Sequence, residues 1–168
     1  IWSAAPQDGR VRIYLDGSPE PAVDLKFSQY FDGTQSPFNY SALVHDASSG
    51  KNLYVPIPFQ KSCKVVADDG WGAYYHFTYT TYPKDTVLPT FTRNLTADEL
   101  AALQQANDTL TTGLGTDPAG ARPGQRTARK RATAKPGSAV SVATVKGRRA
   151  ITSLRVKVEG LGTREQET

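Results

Sequence analysis

Residues 53–65 read LYVPIPFQKSCKV. Apolar and polar side chains alternate along most of the stretch, as in a half-buried strand. Pro56 and Pro58 nevertheless stand one residue apart. Proline has no N–H to give to a sheet ladder, so it is confined to sheet edges, strand starts and bulges. Two prolines on one side of the stretch predict an edge strand whose donor-poor side meets no further strand. Such an edge is expected to be covered by association of subunits, with Lys61 facing solvent or an acid of a partner.

The flanking sequence has the same character. In Arg10–Asp16, RVRIYLD, Val11, Ile13 and Leu15 fall on one face and Arg10, Arg12 and Tyr14 on the other, a half-buried strand. Asp16-Gly17 makes a turn, and residues 22–27, AVDLKF, form a second strand. Residues 28–52 read as loop-rich, with Gly33, Pro37, Ser48, Ser49 and Gly50. Asp68-Asp69-Gly70 is the next turn. Residues 71–82, WGAYYHFTYTTY, are dense in the aromatic and β-branched types that suit a pleated surface. Tyr75, Phe77 and Tyr79 share one face and Tyr74 and His76 the other, so one face is core and the other is open to a subunit or a sugar ring. Short strands separated by frequent turns predict a β-sandwich or barrel.

The composition agrees. Of 168 residues, 38% are apolar, and 14 Gly with 11 Pro make the chain rich in turns. The length suits one domain, or a domain and part of another. There is no Met, and Ile1 is followed at once by Trp2, so the sequence is expected to be processed, trimmed or a fragment. No apolar run approaches the roughly 20 residues of a membrane span. A single cysteine, Cys63, excludes an internal disulfide framework; in an alternating stretch it is expected to be a buried, inert thiol.

Beyond residue 93 the character changes. Thr96-Ala97-Asp98-Glu99 is a capping box, and Leu100, Leu103, Ala106 and Leu110 follow at helical spacing. A helix over about 97–112 is expected, ending near Gly113 and Gly115. Residues 116–137 have no aromatic or large aliphatic side chain, which predicts a solvated basic linker. From 116 to 150 there are nine Lys or Arg and one acid, so this stretch carries +8 of a net charge of +4. Residues 138–158 alternate again (SAVSVATV, then AITSLRVKV) and are expected to be strands, though two strands do not make a domain.

Little of this points to chemistry. Asp68 and Asp69 are adjacent and point apart in a strand or turn. Asp16 and Asp24 flank a turn, where Asp commonly bonds its own backbone. Two His, His45 and His76, lack the spaced partners of a metal site. No phosphate loop and no nucleophile elbow occur. No cofactor is implied. The run Arg129-Lys130-Arg131 has no aromatic beside it to stack bases, so no nucleic-acid partner is inferred. Sequons at Asn39, Asn94 and Asn107 matter only in a eukaryotic secretory setting.

The pieces Tyr14-Leu15-Asp16-Gly17 with Pro21, Gln29-Tyr30-Phe31-Asp32-Gly33 and Tyr54-Val55-Pro56-Ile57-Pro58-Phe59-Gln60-Lys61, followed by Gly70–Pro83, occur in an order that resembles glycoside hydrolase family 172. The resemblance covers about residues 1–93, and 138–159 loosely. It implies an all-β fold with one crossover helix, a jelly-roll β-sandwich followed by the truncated start of a second. The implied division is a first jelly roll at 1–93, helix at 94–115, linker at 116–137 and first strands of the second roll at 138–168. Assembly into trimers or hexamers is implied too. So is retaining cleavage or rearrangement of α-D-fructofuranosides or D-arabinofuranosides by two glutamates, their carboxyls about 5–5.5 Å apart. In the family both glutamates lie in the second roll, beyond the region matching Val158. Glu165 and Glu167 sit in a polar tail and are not nominated, so no catalytic residue is assigned. Asp32, Asn52, Tyr54 and Trp71, polar-tipped residues at loops or strand ends, are candidates for a sugar-pocket wall. The rival readings are a non-catalytic carbohydrate-binding sandwich, a structural jelly roll and, through the basic stretch, a nucleic-acid binder.

Overall fold

A computed structural model describes residues 1–117 and 120–159. It divides into two units, Ile1–Thr112 and Gly113–Thr168.

The first unit is a two-sheet β-sandwich with one α-helix. Strands β1 (Trp2–Pro6), β2 (Arg10–Leu15), β3 (Val23–Lys26), β4 (Val44–Ala47), β5 (Gly50–Leu53), β6 (Cys63–Ala67) and β7 (Gly72–His76) precede helix α1 (Ala97–Thr112). One sheet runs β4-β5-β1-β7, the other β3-β2-β6, and every pairing is antiparallel. The β2 alternation behaves as read: Val11, Ile13 and Leu15 are buried, while Arg10 and Arg12 carry ion pairs to Asp24 and Asp68. A 3₁₀ turn at Phe27–Tyr30 drops Phe27 and Tyr30 into the core. Phe27 sits edge-on to Phe31, at 5.2 Å and 76°. The Tyr30 hydroxyl donates to the buried carbonyl of Val11 at 2.9 Å, and its burial pushes the phenol well above its ordinary pKa.

The region 28–52 holds more structure than expected. β4 and β5 form a hairpin closed by Ser48 and Ser49, both with positive φ (48° and 63°). This is the handedness a two-residue hairpin loop needs, normally supplied by Asn-Gly or Asp-Gly. Two serines give no such signal, so the hairpin was missed.

The proline stretch also differs from its expectation. β5 ends at Leu53 and β6 begins at Cys63, in different sheets, so residues 54–62 are a crossover between the two layers. Val55 is buried, and Ile57 and Phe59 pack against the core. The alternation is therefore genuine, but it belongs to an extended connection that makes no ladder. Pro56 and Pro58 are tolerated because no strand asks for their missing N–H groups. Lys61 is exposed.

Asp16 fastens this crossing. Its own backbone has φ 55°. Its carboxylate accepts the N–H groups of Gln60 (2.9 Å), Lys61 (2.5 Å) and Ser62 (3.1 Å) and the hydroxyl of Thr90. The Thr90 hydroxyl and these N–H donors hold the carboxyl far below the usual carboxylate range. Asp24 lies with Arg10 and Arg12 instead, so the two acids serve separate structural roles.

β6 follows at the rim of the three-stranded sheet, and all five of its residues are exposed. Cys63 is therefore exposed, contrary to the expected buried thiol. It pairs with buried Leu15, but the other sheet does not cover an edge strand there. Partial desolvation, then the charge of Asp16, raises its pKa, which disfavours the reactive thiolate.

The aromatic run is a strand only over Gly72–His76. Trp71 and Phe77 line the core side through Phe27, at 5.1 and 6.0 Å, whereas Tyr79 and Tyr82 lie beyond the strand and are exposed. Helix α1 begins at the expected capping box: Thr96 Oγ1 accepts the Glu99 N–H at 3.3 Å, and Glu99 Oε2 accepts the Thr96 N–H at 2.7 Å. Leu103 and Ala106 pack on the sandwich.

In the second unit the described residues contain no helix or strand. Residues 138–158, expected as strands, form none; Val142, Val145, Leu154, Val156 and Val158 are exposed. Alternation gives a segment two faces, but a strand exists only with a neighbour to take its N–H and C=O groups, and two ribbons alone are marginal. Glu165 and Glu167 lie outside the described residues.

Candidate functional site

Register places four polar or aromatic residues in one line across the four-stranded sheet. His45 lies opposite Asn52, Asn52 opposite Trp2, and Trp2 opposite His76. Neighbours in register share a face, and this face is the outer one, because the next residue of β1, Ser3, is fully buried. Tyr54, two residues after Asn52, points the same way.

This line floors a shallow cleft of about 180 Å³ lined by Ile1, Trp2, Asn52, Tyr54, His76 and Thr78. The Trp2 and His76 rings lie 5.2 Å apart and tilted by 36°. On the far side, the His45 and Tyr54 rings are 5.8 Å apart. The Tyr54 hydroxyl donates to Asn52 Oδ1 at 3.3 Å, and Asn52 Nδ2 donates to the carbonyls of His45 and Gly50, both at 3.3 Å. Buried Asn52 is thus locked by its neighbours and in turn orients the exposed phenol. Gly50 explains how the indole seats: a Cβ there would lie 2.2 Å from Trp2 Nε1, so the Trp2 ring occupies the space a side chain would need.

The cleft contains no Lys, Arg, Asp or Glu. Its chemistry is aromatic surface plus hydroxyl, amide and imidazole groups, suited to binding and without the carboxyl pair of acid/base hydrolysis. Among the described residues no cluster of His, Cys, Asp and Glu could hold a metal ion, and no helix is long and apolar enough to cross a membrane.

Of the four residues singled out from sequence, Asn52 and Tyr54 meet in this cleft. Asp32 lies elsewhere: its Oδ1 accepts the N–H (2.8 Å) and hydroxyl (2.7 Å) of Thr34 in a local turn. Trp71 is occupied with packing, 4.3 Å from Tyr75 and 5.1 Å from Phe27. Trp2, His76 and Thr78 were not singled out. Trp2 opens β1, a short strand of otherwise small residues, and only the pairing register brings it beside Asn52. His76 was legible to the extent that alternation puts it on the face opposite Phe77, which packs against the core.

The family model described as the GH172 first beta-sandwich domain matches residues 1–99. No curated protein and no solved structure matches the chain.

Proposed function

The chain belongs to glycoside hydrolase family 172, and from that premise we propose that it is the non-catalytic first sandwich of a retaining hydrolase acting on furanosides, α-D-fructofuranosides or D-arabinofuranosides. Its contribution is a wall of the sugar pocket, with Asn52 and Tyr54 in it, and contacts within a trimer or hexamer. The observation that carries this reading is the cleft itself, which offers aromatic and amide surface but no carboxylate. A retaining mechanism needs two carboxyl groups about 5–5.5 Å apart, and the acids Asp16, Asp24 and Asp68 are all engaged in holding the sandwich together. The catalytic pair then belongs to a second sandwich, of which residues 138–158 are the opening.

The test is direct. The 168-residue chain and a version extended with its downstream coding sequence are incubated with p-nitrophenyl α-D-arabinofuranoside and with an α-D-fructofuranoside, and the product anomer is followed by NMR. Turnover with retention by the extended protein alone supports the reading. Turnover by the 168-residue chain alone, or none on any furanoside by the extended protein, refutes it.

A further inference from the structure

We propose that the outer-face cleft of the four-stranded sheet is a binding site for one neutral sugar ring, seated against the Trp2 indole and held at its hydroxyls by Tyr54, His76 and Thr78. The sugar assignment rests on the hydrolase reading; the existence and chemistry of the site do not.

Three observations carry it. First, the indole is preorganised. Gly50 leaves the room that Trp2 fills, and cross-strand pairing with Asn52 and His76 fixes its backbone on both sides. An aromatic ring held in place takes the apolar C–H face of a sugar without an ordering cost at binding. Second, Tyr54, His76 and Thr78 keep hydrogen-bonding capacity at the rim. Tyr54 uses its proton on Asn52, which leaves hydroxyl lone pairs as acceptors. The His76 ring nitrogens and the Thr78 hydroxyl make no hydrogen bond to other described residues, so both remain for a ligand. Third, size and charge restrict the ligand. About 180 Å³ lies below the 300–1,000 Å³ of pockets for drug-sized molecules. The lining holds no Lys, Arg, Asp or Glu, and its one cation, the Ile1 ammonium, is already donating to the Leu53 carbonyl at 2.9 Å, so the cleft favours a neutral sugar over a charged one. A ligand so small and so partly enclosed binds weakly, with Kd on the order of a millimolar.

The chain has two tryptophans, Trp2 and Trp71, so two indole N–H signals in a ¹H–¹⁵N spectrum report on the site and on the core separately. Methyl α-D-arabinofuranoside, methyl β-D-fructofuranoside and, as a charged control, glucuronate are titrated into the full 168-residue chain to about 100 mM. Saturable shifts at Trp2, none at Trp71 and none with glucuronate are expected. Tyr54 is exposed, so Tyr54→Ala keeps the fold, as the Trp71 signal will show, and weakens binding several-fold. His76→Ala is a second variant with the same expectation. The proposal is overturned if Trp2 does not respond to either neutral sugar, if glucuronate shifts it equally, or if its signal moves with protein concentration alone, which would make the face a contact between copies. Binding without turnover in the extended protein would sink the hydrolase reading and leave this site standing; turnover without a Trp2 response would do the reverse.

Discussion

At the scale of single residues, Asp16 shows how one side chain can fix a connection that has no ladder of its own. Three consecutive N–H groups and a hydroxyl converge on its carboxylate, in the manner of a capped helix end. Because these donors favour the charged form, the pKa in the fold lies below that of the unfolded chain. The sign follows: the contribution to stability is complete above the ordinary aspartate pKa of about 3.9 and is lost as pH falls through the lowered value. Urea melts of the wild type and Asp16→Asn between about pH 5 and pH 2 will show it. The variant is expected to be less stable at the upper end and to lose less on acidification. Asp8 and Asp68 are also lowered, by Ser28 with Lys26 and by Arg12, so some acid sensitivity persists; curves of equal slope would remove Asp16 from this role. Gly50 gives a second residue-scale outcome. Gly50→Ala puts a methyl group where the Trp2 ring lies, and overpacking of this kind costs about 1–3 kcal/mol. A red shift in the fluorescence of a Trp71→Phe background, with a lower urea midpoint, is the expected readout.

At the scale of elements, what could be read from sequence was what local chemistry fixes. The β2 alternation, the turn at Asp68–Gly70 and the Thr96–Glu99 capping box each depend on near neighbours, and each is found where expected. What could not be read depended on distant partners. The stretch 53–65 alternates as a strand would, yet Val55 and Ile57 face the core from a connection between sheets. Residues 138–158 have the same pattern and form no strand. The hairpin at Ser48–Ser49 has the required geometry without the usual glycine or asparagine. The cleft was half legible for the same reason: Asn52 and Tyr54 sit two apart in sequence, while Trp2 and His76 join them only by register. Two substitutions test the element-level account. Thr96→Ala removes the hydroxyl that caps α1 and is expected to cost about 1 kcal/mol, seen as a loss of helical ellipticity before the sandwich melts. Tyr30→Phe leaves the buried Val11 carbonyl without the phenol it now accepts from, at a cost of about 1–3 kcal/mol. A change under about 0.5 kcal/mol, the range of ordinary surface substitutions, would mean that Val11 finds another donor.

At the scale of the whole molecule, charge and core are distributed unequally. The residues of the hydrophobic core all lie between Val11 and Phe91, inside the unit Ile1–Thr112. That unit carries 8 Lys or Arg against 12 Asp or Glu, a net −4, so the basic pI of about 9.2 originates entirely beyond residue 112. Burial of apolar surface is the main favourable term in folding, and the described residues of Gly113–Thr168 contribute nothing to the buried core. A chain ending at Thr112 is therefore expected to fold by itself with an unchanged far-UV strand signal. Its midpoint should agree with that of the full chain to within about 2 °C, well under the 4–8 °C that 1 kcal/mol moves a domain of this size. Its charge should also reverse, so that at neutral pH it binds an anion exchanger where the longer chain binds a cation exchanger. Thermal melts and ion-exchange elution of the two proteins decide the matter. A shortened chain that elutes as predicted but melts more than about 4 °C lower would show that the basic segment supports the sandwich; one that fails to fold would place part of the core's stabilisation beyond residue 112.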